Sequence, residues 1–349
     1  MAASKLRIGV VGLGMGRAHI AAFNEHRHAE VVAIADTDEA RLKTVGDKQK
    51  VPKRYTDAKA MFRKEALDIV SIATPNKFHK LLTIAALKSG AHVLCEKPMA
   101  MNAKEARQML DVARDMDRRI MINFSYRFSK ASAALKREVD RGVLGDIYFG
   151  RTIWQRRRGL PGFGGWFGNK ALSGGGPMID LGVHRLDLAL WLMGYPKPKW
   201  VLASTYDHIA SKLAKKEKKH FDVEDFAVAL IKFDNGATLE VEASWAGNIK
   251  ENELMQTRLL GTDGGLVQYN LNGNYEFDAD LIVERRGKPV DIKPKAPARH
   301  EANAMTHFVN AIRKNQPHMA TGQEGLVVME LLDAIYKSAR LGKPVKIPS

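Results

Sequence analysis

The chain has 349 residues, 45% of them hydrophobic and 27% charged, and 55 Lys and Arg against 39 Asp and Glu give a formal charge of +16. That length exceeds one ordinary core, so two domains are expected, and no run approaches the roughly eighteen apolar residues of a membrane span. The first strand-like run starts at Leu6, which leaves no room ahead of it for a signal peptide, and a single cysteine, Cys95, excludes an internal disulfide and offers no metal-ligand spacing, so a cytoplasmic, metal-free protein is expected.

Arg7 to Val11 reads as a strand running directly into Gly12-Leu13-Gly14-Met15-Gly16, and a helical segment follows to about His26. Glycines at a strand-to-helix turn let the backbone approach a pyrophosphate that rests on helix N-terminal N–H groups. Gly12, Gly14, Met15 and Gly16 are therefore candidate cofactor contacts. The third glycine comes one position early, with Arg17 where the usual pattern has Gly or Ala. A second strand, Val31 to Ala35, ends on Asp36, twenty-four residues after Gly12. A carboxylate at that distance accepts from adenosine ribose hydroxyls and repels a 2′-phosphate, which favours NAD over NADP.

Strand and helix then alternate: helix 57–64, strand 69–73, helix 78–89, strand 92–94, helix 103–116 and strand 119–122. Such alternation predicts a doubly wound parallel sheet whose ligands bind beyond the carboxyl ends of its strands. Two of those ends carry Thr74-Pro75-Asn76 with His79, and Glu96-Lys97-Pro98, all candidate cofactor contacts. Lys97 is the sharpest of them, because a lysine beside a substrate hydroxyl stabilises a developing alkoxide. Its alternative is a surface lysine in a turn.

After Asn123 the rhythm changes. A helix at 130–141 and a strand at 147–155 precede a glycine-rich loop, 159–168, and a helix from Met178 to Met193. Strands follow at 200–207, 226–233, 237–245, 253–260, 265–270 and 281–285, with Asp234-Asn235-Gly236 and Asp263-Gly264-Gly265 as hairpin turns. Helices at 301–315 and 322–341 close the chain, the last opened by a Thr321-to-Glu324 capping box. The fold class expected is α/β: a Rossmann domain over 1–122 and an α+β domain with a large, mostly antiparallel sheet over 123–349.

The run Gly174-Gly175-Gly176 lets the chain turn tightly into the helix that bears Asp180 and His184. Residues four apart share a helix face, so the acid can orient the imidazole as a general base. An N-terminal acid beside a core histidine would look the same. The positive charge gathers at Arg156-Arg157-Arg158 and over Lys212 to Lys219. The first cluster lies on the approach to the glycine loop, where Arg156 could grip an anionic or hydroxyl-rich ligand. The second reads as a solvated face or a mobile insertion. No nucleic-acid-binding signature accompanies either, so nucleic acid is not an expected partner.

The glycine turn, Ala73 to Asn76, Glu96-Lys97-Pro98, Asn123 to Phe128, Gly174 to His184 and the closing 338–345, in this order and spacing, resemble the Gfo/Idh/MocA oxidoreductases over nearly the whole chain. The resemblance implies hydride transfer between nicotinamide and a ring hydroxyl of a sugar, glycoside or cyclitol, with C3 as the expected carbon. It implies that Lys97, Asp180 and His184 act together on that hydroxyl, that Asn123 and Arg127 line the substrate pocket, and that Trp166 lies near nicotinamide or sugar. Trp166 as a loop aromatic capping the core remains open. Also implied is a homodimer or homotetramer formed through the C-terminal sheet. The alternatives are a phosphorylated, nucleotide-linked or acidic sugar as substrate, or a non-catalytic NAD-binding regulator.

Overall fold

The computed structural model describes residues 4–347. Contacts divide the chain into one unit formed by the residues up to Phe124 with Glu301–Met329, and another formed by Ser125–His300 with the residues from Glu330. The first therefore includes 301–329, a stretch that the sequence placed with the second domain. Backbone and packing hold it there: Ile122 N–H donates to Ala320 O at 2.8 Å, and a Cβ added at Gly322 would meet Leu110 at 2.6 Å.

The first unit is built on six parallel strands, β1 (Leu6–Val11), β2 (Ala29–Ala35), β3 (Lys53–Tyr55), β4 (Ile69–Ile72), β5 (His92–Cys95) and β6 (Ile120–Ile122), in the order β3-β2-β1-β4-β5-β6. The apolar runs are those of strands buried on both faces. Order reverses between β1 and β4, the place where such sheets bind ligands. Helices α1 (Gly16–Asn24), α2 (Glu39–Lys48), α3 (Ala58–Lys64), α4 (His79–Lys88) and α5 (Ala103–Asp115) connect the strands. Side chains of Asp38, Asp57 and Asn102 accept from first-turn N–H groups of α2, α3 and α5, as N-caps do. Neither α2 nor the three-residue edge strand β3 stands out in the sequence.

In the second unit, α6 (Lys130–Asp140) and β7 (Ile147–Arg156) are followed by α7 (Lys170–Ser173) and the expected Asp180 helix, which is two pieces: a π-helical turn, Met178–Gly182, and α8 (Val183–Leu192). Strands β8 (Pro198–Tyr206), β9 (Phe226–Phe233), β10 (Thr238–Ser244), β11 (Glu253–Gly261), β12 (Gly264–Asn270), β13 (Phe277–Arg285), β14 (Lys288–Ile292) and β15 (Val345–Lys346) join β7 in a nine-stranded sheet ordered β14-β13-β12-β11-β7-β10-β9-β8-β15. All of its pairs are antiparallel except β7 with β10. The lysine run contains a short helix, α9 (Ala210–Lys216), because Asp225 accepts from Ile209 N–H and Ala210 N–H at its start. The remaining helices are α10 (Ala304–Lys314) in the first unit and α11 (Gly322–Leu341), within which the boundary falls; its capping box is formed.

Register shows why this sheet has one core face. Across the strands, Val201, Ile231, Leu239, Gly150, Leu259, Leu266, Leu281 and Ile292 stand in one row. Leu259, Leu266 and Leu281 pack there with Leu135 of α6 and Leu188 and Leu192 of α8. At Gly150 a Cβ would lie 2.7 Å from Leu259 and 2.9 Å from Leu239, so the missing side chain makes room for two leucines. The neighbouring row, on the opposite face, is Leu202, Leu230, Glu240, Arg151, Arg258, Val267 and Asp280. That two-fold alternation places α8, and His184 with it, on the core face.

Candidate active site

At the switch point of the parallel sheet each glycine has a different physical cause. Gly12 has φ +84°, and a Cβ there would sit 2.5 Å from Ala73 O. Only glycine fits. At Gly16 a Cβ would meet Val10 at 2.9 Å, so this glycine lets α1, which starts on it, press against β1. Gly14 differs: a Cβ there would meet nothing within 4 Å. Protein packing does not require it, and the open space over the α1 N-terminus is the cradle a pyrophosphate needs. Met15 is 61% exposed beside it, and Arg17 faces solvent.

Asp36 is nearly buried at the end of β2. Its Oδ2 accepts from Leu13 N–H at 2.7 Å and its Oδ1 from Asp38 N–H at 2.9 Å, which fixes the carboxylate to the glycine turn. Arg41 Nη1 approaches it at 3.3 Å. On the other side of the switch point Thr74 Oγ1 is buried without a hydrogen-bond partner among the described residues, an orphaned polar atom of the kind a ligand satisfies. Pro75 and the buried Asn76 follow it. The fit to a nicotinamide dinucleotide is good on these three counts: cradle, ribose acid and unsatisfied hydroxyl.

His79 is fully buried, its ring nitrogens 2.7 Å from Pro98 O and 2.8 Å from Thr74 O. Burial lowers its basicity. Its place is a clamp between the loops after β4 and β5, so any service to a cofactor is through the shape of those loops. Glu96 belongs to a buried polar cluster: His19 Nε2 lies 2.9 Å from its Oε1, Asn123 Nδ2 donates to the same oxygen at 2.6 Å, and Lys97 N–H donates to Oε2 at 3.2 Å. Burial alone would raise the Glu96 pKa, but His19, Lys97 and Asn123 together hold it down to about 2. Half-buried Lys97 precedes Pro98 through a cis peptide bond. Glu96, Lys97 and Asn123 are thus brought together as expected neighbours, and His19 is a member the sequence did not reveal.

In the second unit the glycine run works by close approach more than by turning. Gly174, at φ +86°, caps α7, but a Cβ at Gly175 would fall 2.2 Å from Tyr336 Oη and one at Gly176 2.0 Å from Glu224 O. Buried Glu224 grips this loop: it accepts from Gly176 N–H at 2.8 Å, Met178 N–H at 3.2 Å and Tyr336 O–H at 2.8 Å. The π turn follows, a feature that inserts a residue into a helix and recurs at functional sites. Trp245 Nε1–H donates to Asp180 Oδ2 at 3.1 Å. His184, at the start of α8, has Tyr126 edge-on at 5.0 Å and Trp154 at 5.7 Å between ring centroids.

Two expected substrate residues are occupied within the protein. Arg127 is only 1% exposed; its Nε donates to Asp187 Oδ2 at 2.9 Å, its Nη2 bonds Oδ1, and Trp191 and Tyr195 flank it. It anchors α8 one turn beyond His184, a partnership that sequence spacing conceals. Arg156 Nε donates to Glu253 at 2.8 Å and its Nη2 to Tyr275 Oη at 2.6 Å, while Trp154 Nε1–H donates to the same carboxylate. Arg158 donates to Gly247 O and Asn248. Trp166 stacks on Phe167 at 3.8 Å, and Phe167 in turn meets Trp245, the Asp180 donor. Missed by the sequence were Glu224, Trp245, Tyr126, Trp154, Glu253 and Arg185, whose partners are all distant in the chain. Among the described residues no group of three His, Cys, Asp or Glu could hold a metal ion, and no helix is long and apolar enough to cross a membrane.

A parallel sheet with a dinucleotide cradle at its switch point, joined in one chain to a unit that sets an acid and an imidazole one helical turn apart, defines a class: a nicotinamide-dependent oxidoreductase acting on CH–OH groups. The model of the oxidoreductase family with NAD-binding Rossmann fold matches residues 6–124, and that of the GFO/IDH/MocA C-terminal domain matches residues 132–267. The chain belongs to the Gfo/Idh/MocA oxidoreductase family. It is 31% identical to a D-glucoside 3-dehydrogenase of Escherichia coli K12, over 99% of both chains. An aldose-aldose oxidoreductase from Caulobacter crescentus, solved with glycerol, shares 26% identity and a TM-score of 0.83 over 98% of this chain and 99% of that one. A levoglucosan dehydrogenase solved with NADH shares the fold, with 24% identity and a TM-score of 0.87 over 99% and 100%.

Two predictions concern the first unit. Gly12→Ala should destabilise it by about 2 kcal/mol or more, through the left-handed backbone and the Ala73 clash, whereas Gly14→Ala should leave thermal stability within about 0.5 kcal/mol and weaken NAD binding about tenfold or more; melting curves and fluorescence titration distinguish the two. Because the folded pKa of Glu96, about 2, lies below its ordinary 4.5, its ionisation stabilises the fold above pH 4.5, and that contribution is lost as pH falls toward 2. The gap in melting temperature between wild type and Glu96→Gln should stay constant down to about pH 4.5 and narrow from there to pH 3, and a gap independent of pH over that range would refute it.

Proposed function

We propose that the chain is a dehydrogenase that uses NAD to oxidise a ring secondary hydroxyl, at C3, of a glycoside or related sugar, with His184 as the general base. The observation that carries this reading is the junction of π turn and α8, where Asp180 is fixed by Trp245 and His184 is set one turn later against two aromatic rings. A secondary alcohol is a poor hydride donor until its O–H proton leaves. In this reading His184 takes that proton, Asp180 keeps the imidazole oriented and supports its charged form, and Lys97 stabilises the alkoxide-like oxygen. NAD, when bound, supplies the hydride acceptor. Asn123, tied to Glu96, keeps the strand end beside Lys97 in place. In the opposite direction His184 returns the proton to a ketone.

Support for a glycoside comes from the D-glucoside 3-dehydrogenase, aligned end to end with this chain. A neutral sugar is favoured over a phosphorylated or acidic one because Arg156, the cation that would select an anion, is already neutralised by Glu253. Preference for NAD rests on the Asp36 carboxylate, held toward the glycine turn by Leu13 N–H. We further read the outer face of the nine-stranded sheet, where Leu202 is 41% and Tyr206 43% exposed, as the surface on which copies of the chain assemble into a dimer or tetramer.

The test is NADH or NADPH formation against a panel of hexoses, glycosides, cyclitols, uronic acids and sugar phosphates, with product analysis for the oxidised carbon. A 3-keto glycoside formed with NAD, and a loss of about a thousandfold or more in His184→Ala with NAD affinity unchanged, are expected. Full turnover by His184→Ala would overturn the assignment of the base.

A further inference from the structure

Directly after His184 stands a side chain that neither the glycine cradle nor the proton-transfer step uses. Arg185 has no exposed surface. Its guanidinium lies over Tyr126 at 4.9 Å, Phe277 at 5.0 Å and Trp154 at 5.8 Å. Nη1 donates to Gln268 Oε1 at 2.9 Å, but Nε and Nη2 have no hydrogen-bond partner among the described residues. No carboxylate is paired with it there. Burying a cation without a counter-ion is costly, and the aromatic faces recover part of that cost. Burial pushes the guanidinium pKa down to about 10, so the charge is still present at neutral pH.

The rings that enclose Arg185 are also those that frame His184. Tyr126 is edge-on to the imidazole and Trp154 lies beside it, so the buried cation and the half-buried imidazole share two aromatic walls. Charged groups of this unit near these rings include Asp180 on the preceding turn, Arg185 over the faces of Tyr126 and Trp154 and, bonded to Trp154, the Arg156–Glu253 pair with Tyr275. The pair is neutral as a whole. Asp180 and Arg185 bear on the imidazole with opposite sign: the acid favours its protonated form and the buried cation disfavours it.

We propose that Arg185 is a positioning residue whose unpaired buried charge holds down the basicity of His184, while its guanidinium braces Tyr126 and Trp154 against the imidazole. The consequence for the reaction rests on the reading of His184 as the base: the imidazole stays neutral, and able to accept a proton, into mildly acidic solution. The Arg185 backbone is itself held, with Thr152 Oγ1–H donating to Arg185 O at 3.3 Å.

The experiment follows the His184 titration directly, by NMR of protein labelled with 13C at histidine Cε1, the His184 signal being identified by its loss in His184→Ala. Wild type is compared with Arg185→Met and with Gln268→Glu, which keeps the volume of the side chain but sets a carboxylate against Nη1 and neutralises the cation without removing it. Both substitutions should move the His184 midpoint upward by about half a pH unit to one unit, and Arg185→Lys should move it less. A midpoint unmoved in folded Gln268→Glu, or moved downward, overturns the proposal. The acid limb of kcat/KM is measured alongside. If the midpoint moves and that limb does not, the electrostatic role stands and His184 is not the base.

Discussion

A single buried carboxylate sets the geometry of the loop and π turn that carry Asp180 and lead into His184. Glu224 receives two backbone N–H groups and a tyrosine hydroxyl, and its burial raises its pKa against those stabilising bonds. By holding Gly176 and Met178 it fixes where the chain enters the π turn, and so where Asp180 and His184 point. The glycines are consequences of this contact, since neither Gly175 nor Gly176 leaves room for a Cβ beside Tyr336 and Glu224. Tyr336, on α11, reaches this acid from 112 residues further along the chain. Local sequence and distant packing meet at this one acid.

Charge is handled differently in the two units. In the first, Glu96 is kept ionised by His19, Asn123 and Lys97, a compact cluster that fixes the strand end from which Lys97 emerges. In the second, cations that look available in the sequence are committed: Arg127 to Asp187 and Arg156 to Glu253. Buried pairs of this kind contribute little net stability against apolar replacements, but losing one partner is costly, so they act as fixed points for α8 and for the wall of aromatic rings. The formal charge of +16 thus says less about partners than its size suggests.

Much of the architecture was legible. Glycine turn and Asp36, strand–helix alternation, hairpin turns at 234–236 and 263–265 and the Thr321 capping box are local signals, and each produced the element it announces. The spacing of Asp180 and His184 is local too, and the structure places them on the π turn and the first turn of α8 that follows it. What stayed hidden depends on distant partners. The helix in the lysine run needs Asp225, the return of 301–329 to the first unit needs the bond between Ile122 and Ala320, and the commitment of Arg127 needs Asp187 sixty residues away. The π turn is hidden for a related reason, since the hydrophobic pattern of 178–193 suits an unbroken helix and only the packing at Glu224 and Trp245 marks where it changes.

The most direct test of the claim that the Glu224 grip aligns Asp180 and His184, the residues we propose to transfer the proton, is a comparison of Glu224→Gln with wild type in steady-state turnover and in NAD binding. Gln offers one acceptor oxygen where three donors converge, and a buried donor left unsatisfied costs about 1–3 kcal/mol. The expected result is a fall in kcat of about tenfold or more with the NAD dissociation constant unchanged, because the cradle lies in the other unit. Unaltered kcat in a folded Glu224→Gln would contradict it, and would mean that Asp180 and His184 are held in place without the carboxylate.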